Sequence, residues 1–112
     1  MSSDRDRRLA TYGTLAPGRA NHHHLAHLDG QWQVGWVHGH LRQAGWGASM
    51  GYPGLTLDPD GPSVEMHLFE SDALPDHWTH LDAFEGDEYR RTPVTVHTPH
   101  GDRDAWIYAL AD

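Results

Sequence analysis

The segment Gln31–Leu41 alternates between two sets of residues with a period of two. One set is Trp32, Val34, Trp36, His38 and His40, and the other is Gln33, Gly35, Val37, Gly39 and Leu41. Because successive side chains of an extended strand point to opposite faces, this period predicts a strand. Such a strand is long for a chain of 112 residues, so it favours a sheet-rich domain. Its two glycines indicate bending or close packing against neighbours.

Shorter elements are predicted on both sides of this strand. The strands are Leu9–Tyr12, Leu55–Leu57, Ser63–Phe69, Tyr89–Thr98 and Arg103–Leu110, and the helices are His22–Leu28, with Asn21 as N-cap, and Leu74–Phe84. Asp58–Gly61 predicts a turn across which Ser63–Phe69 pairs back, and Pro93 predicts an edge or bulge. These elements favour an α+β domain, a small mixed curled sheet or β-barrel of about five to six strands with two short helices.

Length and charge limit the classes of function. The chain fits one domain, which we expect over residues 9–112, preceded by a frayed N-terminal arm over residues 1–8. We expect a cytoplasmic protein, since no window resembles a membrane span or a secretory signal. The net charge of −8 argues against nucleic acid or an anionic membrane as a partner. The absence of Cys excludes disulfides, thiolate nucleophiles and Cys-based zinc sites.

Eleven histidines are the unusual part of the composition, and their full protonation would move the charge from −8 to +3 (−8 plus 11). Several pairs have spacings that can bind zinc or nickel: His23 with His27, His24 with His27, His38 with His40, and His77 with His80. No acidic third ligand has a familiar spacing, so we predict no metal site. Ser49 resembles a nucleophile elbow in letters only, because the required strand, turn and helix are missing.

One carboxylate continues an apolar stripe. Leu74, Trp78 and Leu81 form the stripe of the second predicted helix, and Glu85 falls on it if the helix runs one residue further. Burial would then raise the pKa of Glu85 and make it an effective base near neutral pH. Alternatively, the helix ends one residue earlier and Glu85 turns outward, with Gly86 as the C′ residue. The neighbouring acidic residues are interpreted as solvated surface: Asp82, Asp87 and Glu88.

Two motifs follow one another in the sequence. The first is Tyr12-Gly13-Thr14-Leu15, followed by Gly18 and Asn21, and the second is Leu81-Asp82-Ala83-Phe84-Glu85-Gly86, followed by Tyr89 and Arg91. In this order they resemble the opening and the second signature of the gamma-glutamyl cyclotransferase family. Tyr52–Leu55 also looks like the mid-chain segment of the family. The resemblance runs from about Thr11 to Tyr108, and the order and separation of the motifs make it specific.

The resemblance implies a fold and a reaction. The fold is a small mixed barrel flanked by helices, with a cavity at the loop of the first motif. In the reaction, the α-amine of a γ-glutamyl group attacks its own γ-carbonyl, 5-oxoproline forms, and an amine or amino acid leaves, without a cofactor. Glu85 matches the catalytic general acid/base. The substrate-binding positions carried over are Tyr12, Gly13, Thr14 and Leu15, together with Tyr89; Arg91 matches a signature position without an assigned role.

Some features leave alternatives open. Met66 and His67 replace a Gly and an acid that relatives often carry in this strand, so the pocket wall differs. The expected partner is a small γ-glutamyl molecule, whose leaving group could be an amino acid, a lysine-type amine or a γ-glutamyl-protected metabolite. The protein could be a monomer or a homodimer. The alternative function is a non-catalytic module that binds a small molecule in the same cavity.

Overall fold

The computed structural model describes residues 4–12, 23–43, 53–86 and 89–110. Short 3₁₀ helices span Asp4–Arg7 and Leu74–Asp76. The strands are β1 (Arg8–Thr11), β2 (Gln31–Gln43), β3 (Pro53–Leu57), β4 (Ser63–Glu70), β5 (Tyr89–Thr98) and β6 (Gly101–Leu110), and the helices are α1 (His23–Ala26) and α2 (Trp78–Glu85). The predicted α+β class is confirmed.

Within these ranges the strand order is β3-β2-β4-β1-β6-β5, and a pairing between β2 and β5 at Trp36 and His97 closes the sheet. Five strands therefore form a closed barrel, to which β3 adds at the side. Gly35 lies where the barrel closes, and a Cβ there would stand 2.7 Å from the His97 carbonyl oxygen. The close packing predicted for the glycines of this strand is what allows the barrel to close.

The long strand β2 changes partner along its length. Its first part, from Gln31 to His38, pairs with β4, and its last five residues pair with β3. The predicted hairpin between Leu55–Leu57 and Ser63–Phe69 is therefore wrong, because β2 lies between β3 and β4. The turn itself is present, but its flanks bond to β2: the Asp58 N–H donates to the His38 carbonyl at 3.1 Å.

Pro93 lies in β5, which pairs along its length with β6 and meets β2 at His97. At Pro93 the described partner of β5 is β6, and the pairing with β2 is at His97. A proline lacks the N–H that a second neighbouring strand would require, so it is tolerated at this edge position, as predicted. Opposite faces of the strands bury two groups of side chains. The interior cluster is Ala10, Val37, Leu55, Met66, Leu68, Val96, Ala105 and Ile107. The outer cluster, against which α2 packs, is Leu9, Leu25, Phe69, Leu74, Trp78, Leu81 and Tyr108.

Residues 4–8 adopt regular structure, whereas the sequence predicts a frayed arm over residues 1–8. Asp4–Arg7 forms a 3₁₀ helix and Arg8 begins β1. Two indole N–H groups hold this segment: Trp78 donates to the Asp6 carbonyl and Trp106 donates to the Asp6 carboxylate, each at 2.9 Å. Charge patterning could not reveal these partners, which are 72 and 100 residues away. No helix in the described ranges is long and apolar enough to cross a membrane.

Candidate active site

Helix α2 brings Glu85 to the edge of the outer cluster. Trp78 and Leu81 are buried, and Glu85 follows Leu81 by four residues, so all three lie on one side of the helix. The predicted helix over Leu74–Phe84 is divided: its first residues form the 3₁₀ turn and α2 continues to Glu85. Of the two sequence alternatives, the one in which the helix includes Glu85 is therefore observed.

Gly86 ends the helix immediately after Glu85. Its φ of 76° and ψ of −170° lie in a region that is essentially restricted to glycine, and its N–H donates to the Asp82 carbonyl at 3.1 Å. The chain thus leaves the helix sharply, and Glu85 belongs to the last turn. A side chain at the end of a short helix can keep one side against the core and the other open to a ligand.

The surroundings of Glu85 change its acidity. Its side chain is only partly exposed, and burial raises its pKa from the ordinary value of 4.5 to about 7. Burial has this effect because it disfavours the charged carboxylate. Near neutral pH the group therefore populates both protonation states, which suits a residue that must accept a proton and return it.

Tyr12 comes from the other end of the sequence, just after β1. Its hydroxyl donates to the Tyr108 carbonyl at 2.6 Å and accepts the Leu55 N–H at 3.0 Å. One phenol thus joins the end of β1 to β6 and β3. Burial raises the pKa of Tyr12 far above its usual value, the hydrogen bond from Leu55 opposes this, and the nearby charges of Glu85 and Tyr89 raise it further.

These electrostatic effects link several of the predicted residues. Glu85 influences Tyr12 and also Tyr108, whose pKa is raised mainly by burial and then by its hydrogen bond to Asp82. Tyr12, Glu85 and Tyr89, three of the residues carried over from the motifs, are therefore near enough for their charges to interact, although more than 70 residues separate the first from the other two. The other predicted binding residues, Gly13, Thr14 and Leu15, lie outside the described residues, as does Ser49.

An open depression of about 480 Å³ adjoins the C-terminal end of α2. It is lined by Asp82, Gly86, Tyr89, Arg90, Arg91, Trp106 and Tyr108. Tyr89 and Gly86 connect this depression to the end of the helix that carries Glu85. Glu85 itself is not among the lining residues, so this depression adjoins the helix end without including the carboxylate.

Sequence reasoning missed the roles of Asp82 and Tyr108. Asp82 was interpreted as solvated surface, yet its carboxylate accepts hydrogen bonds from the Tyr108 hydroxyl at 2.7 Å and from Arg91 Nε at 3.0 Å. The alternation that places Trp106 and Tyr108 on one face of β6 was the available signal. It could indicate the shared face but not the partner on a different element.

The described histidine side chains differ in their contacts. His40 bonds to Asp58 at 2.9 Å and His97 bonds to Asp102 at 2.8 Å, while the rings of His77 and His80 lie 4.8 Å apart. Across the ranges that the structure describes, no group of three or more His, Cys, Asp or Glu side chains could hold a metal ion. The ionisable side chains described near the end of α2 are carboxyl groups, phenols and the Arg91 guanidinium.

Comparisons with known proteins agree with the first and second motifs. The model of the family described as gamma-glutamyl cyclotransferase, AIG2-like, matches residues 9–112. Among curated proteins, none matches the chain.

Solved structures share the fold. YkqA from Bacillus subtilis is 28% identical, with a TM-score of 0.74 over 93% of this chain and 35% of its own, so the chain spans about a third of that protein. An aig2-like protein from Mus musculus is 25% identical, with a TM-score of 0.73 over 94% of this chain and 77% of its own. An uncharacterised protein from Pyrococcus horikoshii, at 22% identity and a TM-score of 0.61 over 93% of this chain and 79% of its own, shows likeness of fold.

Proposed function

The chain belongs to the gamma-glutamyl cyclotransferase, AIG2-like family, and from this premise we propose that it is a cofactor-independent γ-glutamyl cyclotransferase with Glu85 as its general acid/base. The observation that carries the proposal is the position of Glu85, partly buried in the last turn of α2 and near enough to Tyr12 for its charge to influence that phenol, with a pKa raised to about 7. A carboxyl group of ordinary acidity on an open surface would be a weak base for an ammonium group.

The reaction moves two protons from the α-nitrogen of the substrate to the leaving nitrogen. Glu85 takes a proton from the α-ammonium of the γ-glutamyl group, and the freed amine attacks the γ-carbonyl carbon to close the five-membered ring. The bond from that carbon to the leaving nitrogen then breaks as Glu85 gives its proton to this nitrogen. The ring nitrogen still holds one proton more than the lactam; the Glu85 carboxylate accepts it and passes it to the released amine, which leaves as an ammonium ion. The products are 5-oxoproline and an amine or amino acid, so atoms and charges balance without a further reactant.

The barrel contributes mainly by holding a folded substrate. Amine and carbonyl belong to one molecule, and good orientation of such groups can lower a barrier by about 7–11 kcal/mol. Negative charge builds on the γ-carbonyl oxygen, and one well-placed N–H donor is typically worth about 3–4 kcal/mol. We propose that backbone groups of the loop from Tyr12 to Leu15 bind there, as the family resemblance implies.

The side chain of Tyr12 has a different task from its backbone. Its single hydroxyl proton is used on the Tyr108 carbonyl, and its raised pKa keeps the phenol neutral. It therefore serves as a brace that fixes the end of β1 relative to β3 and β6.

The experiment is to measure 5-oxoproline release from γ-glutamyl amino acids and γ-glutamyl amines by the wild type, Glu85→Gln and Glu65→Gln. Glu65 lies exposed on β4, so its substitution removes one charge elsewhere. We expect release by the wild type that rises with pH through about 7, a loss of at least about 10²-fold in Glu85→Gln, and little change in Glu65→Gln. The panel then identifies the leaving group.

Other results would point elsewhere. Equal rates in Glu85→Gln and the wild type would refute the role of Glu85. If no substrate is turned over by the folded protein but some bind, and Glu85→Gln weakens that binding, the alternative of a non-catalytic binding module is correct.

A further inference from the structure

Arg91 occupies an unusual position for a residue with a charged head. Its guanidinium lies between two indole rings, with its carbon 4.8 Å from the ring centroid of Trp78 and 4.9 Å from that of Trp106. Both distances are within the range of cation–π attraction. The side chain thus bridges the first residue of α2 and the middle of β6, and the two rings restrict the plane of its fork.

The carboxylate of Asp82 receives both arms of that fork. Arg91 Nε donates to Oδ1 at 3.0 Å and Nη2 donates to Oδ2 at 3.3 Å, while the Tyr108 hydroxyl donates to Oδ1 at 2.7 Å. An isolated surface ion pair contributes little. This one differs because its arginine is stacked, its geometry is bidentate and a phenol from a third element shares the carboxylate.

The effect of this arrangement falls on the last turn of α2. The helix has eight residues, too few to be stable without tertiary contacts. Trp78 and Asp82 are four residues apart, so Arg91 contacts successive turns on one side. The Asp82 carbonyl also accepts the Gly86 N–H, and Glu85 lies between these two residues.

We propose that Asp82, Arg91 and Tyr108 are positioning residues that hold the last turn of α2 against β5 and β6, and thereby fix where the Glu85 carboxyl lies. This inference rests on the proposed function, because positioning matters only if Glu85 exchanges protons with a substrate. A displacement of about 1 Å in a reacting group can cost about 10²-fold in rate. A short helix anchored at one bidentate contact is sensitive to such a displacement.

The test compares Arg91→Lys with Arg8→Lys. Both variants keep the positive charge and remove the bond between an arginine and a carboxylate. In the control pair, Arg8 Nε donates to Glu70 at 2.9 Å. The two carboxylate side chains are about equally exposed, at 45% for Glu70 and 44% for Asp82. We expect Arg91→Lys to lower kcat by about ten- to hundredfold with KM within about threefold. Arg8→Lys should leave kcat within about twofold.

A second readout does not depend on turnover. The sequence contains four glutamates, Glu65, Glu70, Glu85 and Glu88, so carboxyl-labelled glutamate gives a simple NMR spectrum in which Glu85→Gln assigns one signal. In Arg91→Lys the released turn exposes Glu85 to water, and we expect its titration to move toward the ordinary pKa of 4.5. In Arg8→Lys it should stay near that of the wild type.

The outcomes separate the two proposals. If Arg91→Lys lowers only the melting temperature, and neither kcat nor the Glu85 titration differs from the wild type, the three residues are merely structural and the inference is overturned. If the wild type releases no 5-oxoproline, the proposed function fails, and the NMR titration alone decides whether Glu85 is held by these residues. Should Arg91→Lys fail to fold, Tyr108→Phe, which removes only the hydroxyl, is judged by the same titration.

Discussion

The raised pKa of Glu85 predicts that the same residue lowers the stability of the folded protein. In the unfolded chain a glutamate titrates at its ordinary pKa of 4.5, whereas in the folded protein this one titrates at about 7. Between these values the folded state keeps a proton that the unfolded chain has released. Stability contributed by this group is therefore lost as pH rises from about 4.5 to about 7, and the full cost remains above that interval.

The magnitude follows from the gap between the two pKa values. A difference from 4.5 to about 7 corresponds to about 3 kcal/mol at a pH above both values. Because the carboxyl keeps part of its contact with water, we expect about 2 kcal/mol to be measured. For a domain of this length, that corresponds to about 8 °C in melting temperature.

Glu85→Gln is the perturbation that isolates this cost. Glutamine has nearly the shape of protonated glutamate but cannot ionise, so the variant should match the wild type at pH 4 and be more stable by about 2 kcal/mol at pH 8. Thermal and urea unfolding of both proteins across this range measure the difference, in which the titration of the histidines cancels. Glu65→Gln, a change on the surface of β4, should stay within about 0.5 kcal/mol of the wild type at every pH.

One result would refute this reasoning. If the stability difference between Glu85→Gln and the wild type is the same at pH 4 and pH 8, then Glu85 titrates alike in the folded and unfolded states. Its burial would then carry no cost, and the argument that its environment prepares it for proton transfer would fail.

Two further predictions concern the brace and the helix end. Tyr12→Phe should lower the free energy of unfolding by about 1–3 kcal/mol, because the Tyr108 carbonyl and the Leu55 N–H lose their common partner. Urea unfolding measures this difference. An unchanged midpoint would mean that water replaces the hydroxyl at no cost. Gly86→Ala should cost about 1–3 kcal/mol through its backbone conformation alone, since a Cβ there would meet nothing within 4 Å among the described residues. It should also reduce turnover by displacing Glu85, and an Ala variant as stable as the wild type would contradict the φ of 76°.

The strand content of this fold was predictable because strand signals are local. The alternation in Gln31–Leu41 identified β2 from adjacent residues, and the structure extends it to Gln43. Strand pairing is not local, and here the prediction failed: β3 and β4 follow one another across a tight turn, yet β2 lies between them. A strand of 13 residues is long enough to pair with each of them over a different part of its length.

The candidate site was also predictable only in part: its helix residues were, and their partners on other elements were not. The spacing of Trp78, Leu81 and Glu85 offered the core side of a helix as one of two alternatives for the carboxylate, and the resemblance assigned the catalytic role to the same residue. Nothing in those residues revealed that Asp82, one turn earlier, bonds to Arg91 and Tyr108. Those partners lie on β5 and β6, and only the packing of α2 against these strands brings them within reach.

By itself the sequence determined which segments are strands, where the chain turns, and which family the motifs resemble, since all of these depend on residues close together along the chain. Tertiary structure alone decided that β2 separates β3 from β4, that Tyr12 braces three strands, and that Glu85 has a pKa of about 7. The physical reason is that hydrogen-bond partners and desolvation depend on which distant segments meet. The acidity of a carboxyl group is set by everything packed around it.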